Sequence, residues 1–157
     1  MIFVFSNHKG AFFSKLMVKE LVHDPIFLAG KSETAAKEDI YVADDLLDTL
    51  KAHKDTCVGM AANMIGAKKC IIAFLDDSGI TPTYTVMFNP EIIRKDGAYD
   101  TEECCLSLLG GPRKCKRYRT IKVRYQTAEM QTRLKTYSGF TAQIIQHEID
   151  HTLGILI

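Results

Sequence analysis

The chain has 157 residues, of which 46% are hydrophobic and 25% charged, with a net charge of +1. That is enough for one domain with a core and short for two, and the near-neutral balance gives no sign of a protein that holds nucleic acid or membrane by bulk charge. No apolar run is long enough to span a bilayer, and five cysteines without a C-x-x-C pair argue against a disulfide framework and for a reducing cytoplasm.

Residues 1–16 read as an N-terminal extension. They contain no acidic residue and several phenylalanines, and their apolar start is too short for a signal-peptide core. Met17 is an alternative start, so a single domain is expected over 17–157. His23-Asp24-Pro25-Ile26-Phe27-Leu28 reads as an extended, proline-marked segment along the core. Thr34 to His53 is expected as a helix: Ile40, Ala43, Leu46, Leu47 and Leu50 recur at three-and-four spacing. Thr56 to Gly66 breaks that periodicity. It is small, apolar and uncharged, a loop that lets backbone approach something closely or simply packs tightly.

From Lys68 the pattern turns to strands. Lys69–Leu75 and Tyr84–Phe88 are rich in β-branched and aromatic residues, with a turn at Asp76-Asp77-Ser78-Gly79. Asn89-Pro90 and Lys95-Asp96-Gly97 mark further turns, and Arg119–Tyr125 and Met130–Tyr137 read as strands joined near Thr127-Ala128. The expected fold is α+β: antiparallel or mixed sheets packed around a C-terminal helix, with an N-terminal helix. Arg113, Lys114, Lys116, Arg117, Arg119, Lys122 and Arg124 form a basic run, read first as a solvated strand face and second as a surface for phosphate or a carboxylate. No sequence-specific nucleic-acid partner is expected.

The last predicted helix, Gly139 to Gly154, carries the chemistry. Ser138 is its N-cap candidate and Gly154 its terminator. His147 and His151 stand four residues apart, so a helix presents both imidazoles on one face, close enough to share a cation. Glu148 lies beside that face. H-E-x-x-H is a pattern of hydrolytic metal sites: two neutral imidazoles, and a carboxylate that takes a proton from water. A third protein ligand is needed. Thr152–Ile157 offers no Asp, Glu, His or Cys, so the ligand is expected upstream. Cys104 and Cys105 are adjacent, so on an extended segment only one can face the helix. Taken alone, each reads as a small buried hydrophobe. Asp150 reads first as a buried ion-pair partner for an arginine on the sheet, for instance one among Arg119–Arg133, and second as a group that orients a metal ligand.

Three segments together resemble the peptide deformylase family: Cys57-Val58-Gly59-Met60-Ala61-Ala62-Asn63-Met64 for its G-x-G-x-A-A-x-Q loop, Glu103-Cys104-Cys105-Leu106-Ser107 for E-G-C-L-S, and Gln146-His147-Glu148-Ile149-Asp150-His151 for Q-H-E-x-D-H. The resemblance implies Cys105, His147 and His151 as ligands of Fe(II), with Zn(II) or another divalent ion as an alternative. It implies Glu148 as general base and the Leu106 N–H as oxyanion donor. The implied reaction removes the N-formyl group from formyl-methionyl peptides or nascent chains, with the ribosome as a candidate partner. Gly59, Met60, Met64 and Ile144 are the candidate substrate-binding residues. Three positions depart from the pattern: Cys57 and Cys104 replace glycines, and Met64 replaces the glutamine that helps hold the formyl oxygen. A thioether cannot donate a hydrogen bond. The expectation is therefore reduced activity, with a weak or inactive peptide-binding metalloprotein as the alternative.

Overall fold

The computed structural model describes residues 17–157; the expected extension over 1–16 lies outside them. Five strands run β1 Gly59–Ala61, β2 Ile71–Asp76, β3 Thr83–Glu103, β4 Arg113–Gln126 and β5 Thr132–Ser138. They form one antiparallel sheet in the order β1-β2-β3-β4-β5, which with the helices makes the expected α+β fold in its antiparallel form. Among the described residues the parallel pairing is confined to an isolated bridge, Glu33 to Lys69.

The strand period of two divides the core into two layers. On β2, Ile71 and Ala73 face helix α2 (Ile40–Ala52), where they meet Val42, Ala43, Leu46 and Leu50. Ile72 and Phe74 point the other way, toward helix α3 (Gly139–Thr152), and meet Ala142, Ile144, Ile145 and Ile149. β1 obeys the same parity. Met60 packs on the α2 side, while Ala61 packs on the α3 side. Gly59 shares the direction of Ala61. It lies so close to α3 that an added Cβ would stand 2.6 Å from Ile144 Cγ2 and 2.7 Å from Glu148 Oε1. A residue without a Cβ is what this contact requires.

Three local expectations change. His23–Leu28 is not extended throughout: Asp24 accepts the Ile26 N–H at 2.9 Å and Pro25 opens the short helix α1, Pro25–Leu28. Aspartate before proline is a helix-start signal as well as an extended one. The helix expected from Thr34 begins later, because Ala35 is held extended by Asn89 Oδ1 and Asp39 Oδ2 draws in the Ala36 N–H to set a 3-10 turn at Lys37–Asp39. Asn89-Pro90 and Lys95-Asp96-Gly97 do not end a strand. β3 runs through both, with register shifts between Phe88 and Glu91 and between Ile92 and Arg94. Asn89 takes a φ of 51° and Gly97 a φ of 71°, so turn-forming residues here kink a continuing strand.

The C-terminus of α3 closes in a Schellman turn. Ile155 N–H donates to Asp150 O at 2.9 Å, and Gly154 N–H to His151 O at 3.1 Å. Gly154 has a φ of 77°, and a Cβ there would run into the Ala29 carbonyl. Gly154→Ala is expected to cost at least about 1–2 kcal/mol from left-handed strain alone, read as a lower midpoint in urea with an unchanged slope. Ser138 occupies the N-cap position, but its hydroxyl pairs with Thr120 Oγ1 at 3.1 Å instead of capping the helix. Among the described residues no helix is long and apolar enough to cross a membrane.

The basic run on β4 is answered across the sheet. Lys114, Lys116 and Arg124 stand opposite Glu102, Asp100 and Glu91, and Arg124 pairs with Glu91 at 2.5 Å. Cross-strand acids make this a charge ladder more than a phosphate surface.

Candidate metal centre

α3 delivers His147 and His151 on one buried face, 9% and 1% exposed. Their Nε2 atoms approach to 3.0 Å and the rings lie edge to face, 82° apart. At that distance one neutral ring can donate its N–H to the lone pair of the other, and the same two nitrogens can instead turn their lone pairs to one cation. Cys105 supplies the third donor from the β3–β4 connection. Its Sγ and one nitrogen of each histidine all lie within 4.8 Å of one another. Cys104 is exposed and Cys105 is partly buried, so the adjacent pair divides just past the end of β3. A thiolate and two neutral imidazoles form a donor set of the kind Zn(II) and other borderline divalent ions take.

Around these three atoms the polar groups are arranged to fix them. His147 Nδ1 bonds Glu103 Oε2 at 2.8 Å, so Nδ1 carries the proton and Nε2 keeps its lone pair for a ligand role. Glu103 is itself held by Arg117, whose Nε and Nη2 reach its two oxygens at 2.9 and 2.7 Å. Arg117 Nη1 turns to Asp150 at 2.6 Å. Thus Asp150 finds a buried arginine on the sheet, as its sequence context suggests. The partner is Arg117, outside the Arg119–Arg133 range, because Arg117 is the inward-facing arginine of β4 and is only 4% exposed. Burial opposes the Glu103 carboxylate, but the bonds from His147, Arg117 and Gln143 outweigh it and hold Glu103 well below the usual range.

The two histidines split. Burial resists a charge on His147, yet the Cys105 and Glu103 contacts win and push its pKa up. Burial and then the neighbouring His147 push His151 down. Glu148 is 4% exposed; burial raises its pKa to about 7, against the pull of His147. Its Oε2 has no hydrogen-bond partner among the described residues. A carboxylate kept unpaired beside a cation site, and poised near neutrality, is suited to taking and returning a proton.

A cavity of about 330 Å³ opens in front of these groups. Gly59, Met64, Leu106 and Ile144 line it, with Cys57, Phe140 and Gln143. Met60 does not. It is fully buried under α2, since the parity of β1 turns it away from the cavity. Among the described residues no acceptor is paired with the Leu106 N–H. Cys57 reaches inward, its Sγ donating to Gly59 O at 2.8 Å. Burial, then the nearby Glu148, push its thiol up to about 12, so it stays protonated. Thiolate is the reactive form. An alkylating reagent at pH 8 is therefore expected to label the exposed Cys104 readily and Cys57 only after unfolding, read by mass spectrometry of peptides. Sequence reasoning assigned no role to Glu103, Arg117 or Gln143. For Glu103 a signal was present: two residues before Cys105 on an extended segment, the two side chains share a side.

A helix that brings two imidazoles and an unpaired carboxylate to a thiol, against an antiparallel sheet, is an arrangement suited to a metal-dependent hydrolase. The sequence matches the family model described as Polypeptide deformylase over residues 21–157. A peptide deformylase of Clostridium beijerinckii is 52% identical over 141 residues, covering 90% of this chain and 100% of that protein. Among solved structures, the peptide deformylase of Thermus thermophilus aligns with a TM-score of 0.77 at 30% identity, over 88% of this chain and 82% of that one. A Met-Ala-Ser-bound class I type b peptide deformylase from Acinetobacter baumannii aligns with a TM-score of 0.77 at 25% identity, over 88% and 95%. The chain belongs to the peptide deformylase family. It is a hydrolase of N-formyl peptides, and the family is metal-dependent.

Proposed function

We propose that Cys105, His147 and His151 hold the catalytic cation, Fe(II) in the cell and Zn(II) as an alternative, and that this centre deformylates formyl-methionyl peptides. The observation that carries the reading is the convergence of the three donor atoms within 4.8 Å beside the unpaired Glu148. When bound, the cation supplies Lewis acidity and lowers the pKa of a water. Glu148 accepts a proton from that water and returns it to the leaving amine. The Leu106 N–H donates to the oxygen that gains charge as the formyl carbon becomes tetrahedral. Glu103 keeps His147 in one tautomer and orientation. Gly59 lets β1 close tightly on α3 at the wall of the cavity, and Ile144 and Met64 give the methionine side chain an apolar wall.

Met64 is the point of weakness. It is 2% exposed and partly core, and it offers no donor where the family pattern has an amide. Losing one oxyanion donor costs roughly a hundred- to a thousandfold in rate. Met64→Gln is accordingly expected to raise kcat for a formyl-Met peptide, with little change in KM. An inert wild type whose Met64→Gln variant turns over would favour a degenerate, peptide-binding relative. A fast wild type unimproved by the change would remove the reduced-activity reading. Nascent chains on the ribosome are the proposed source of substrate. A reducing cytoplasm belongs to the same reading, because one of five free thiols is a ligand.

A further inference from the structure

Gln143 lies one helical turn before His147 and lines the cavity. At i and i+4 their side chains share a face, and both reach Glu103. Gln143 Nε2 donates to Glu103 Oε1 at 2.9 Å, while His147 Nδ1 bonds Oε2 at 2.8 Å. From β3, the Tyr99 hydroxyl donates to Gln143 Oε1 at 3.2 Å. The amide is engaged at both ends, its oxygen accepting and its nitrogen donating, so its orientation is fixed. A wall built only to receive an apolar side chain would be served by an aliphatic residue, such as the adjacent Ile144.

We infer that Gln143 is a positioning residue that couples the occupant of the cavity to the ligand His147 through Glu103. This rests on the proposed Cys105, His147 and His151 site. A substrate side chain that packs on Gln143 presses its amide onto Glu103, and Glu103 sets the plane of the His147 ring. Without that amide, Glu103 Oε1 keeps only Arg117 Nε of the donors that hold it. The carboxylate then turns more freely, and the imidazole with it. Tyr99 acts one step further out, by holding the amide the right way round.

Cobalt(II)-loaded protein tests this, because cobalt reports a thiolate ligand by a charge-transfer band and the imidazoles by its ligand-field bands. Wild type, Gln143→Met and Tyr99→Phe are compared for spectrum, cobalt release to a chelator, and kcat and KM on formyl-Met-Ala-Ser. Gln143→Met keeps the bulk and removes both hydrogen bonds. It is expected to alter the ligand-field bands, release cobalt about tenfold faster, as one lost bond to a charged acceptor implies, and lower kcat more than it raises KM. Tyr99→Phe should shift the same readouts in the same direction by a smaller factor, and it decides the matter should Gln143→Met fail to fold. A Gln143→Met protein with wild-type spectrum and release rate, changed only in KM, would reduce the residue to pocket lining and overturn the coupling. A wild type without the thiolate band would remove the ligand assignment itself, and the coupling with it.

Discussion

Replacing Glu148 with Ala is expected to lower kcat/KM for a formyl-Met peptide by about a hundred- to ten-thousandfold, the usual contribution of a positioned base, while metal content stays at the wild-type level. Glu148 is not one of the three converging donors, and its Oε2 is buried without a partner among the described residues. Removing it should cost proton transfer and leave the cation in place. The same assay carries a pH signature. Burial lifts the Glu148 carboxyl to about 7, and the positive charge of a bound cation pulls it back down. Only the ionised form accepts a proton, so activity should be lost as pH falls through a value at or below about 7. That acid limb should vanish from the residual rate of Glu148→Ala. A variant that retains wild-type kcat/KM with full metal would show that another group serves as base.

Arg117→Met is expected to be the most damaging substitution away from the ligands. The guanidinium is 4% exposed and bridges Glu103 on β3 to Asp150 on α3. Removing one partner from a buried ion pair costs about 3–5 kcal/mol, because the remaining charges are left without compensation. Two acids would be stranded here, one of them the residue that orients His147. Lower stability and faster metal loss should appear together. The pH dependence of stability follows from Glu103. Its folded-state pKa lies below the ordinary carboxylate value of 4.5, so its contribution is present above that value and disappears as pH falls further. In Arg117→Met that acid sensitivity should flatten as Glu103 relaxes upward. Chemical denaturation at pH 7 and pH 4 measures both effects. An unfolding free energy within about 1 kcal/mol of wild type at pH 7, the range of a surface ion pair, would refute the bridge.

The parts that were legible in the sequence are those where local pattern and tertiary role coincide. His147, Glu148 and His151 declare themselves by helical spacing, and α3 supplies that helix. β4 and β5 alternate and pair near the expected places, joined through a turn in which Met130 N–H donates to Thr127 O. The long β3 strand was hidden, because asparagine-proline and aspartate-glycine usually end strands. Here Asn89 is instead held by Ala35 and Gln126 from two other segments, and the strand continues past it. Met60 was misplaced as a pocket residue, since a three-residue strand is too short for its parity to be read before its neighbours are known. The Glu103, Arg117 and Asp150 bridge joins three elements distant in sequence. A run of seven basic residues gives no local reason to single out Arg117, which is distinguished only by the direction in which β4 turns it.

The most direct test of the account is X-ray absorption at the metal edge of zinc-loaded protein. One sulfur at about 2.3 Å together with two imidazole nitrogens at about 2.0–2.1 Å is the expected shell, with the sulfur lost in Cys105→Ser. A shell of oxygen and nitrogen alone in the wild type, or a sulfur that persists without Cys105, would contradict it.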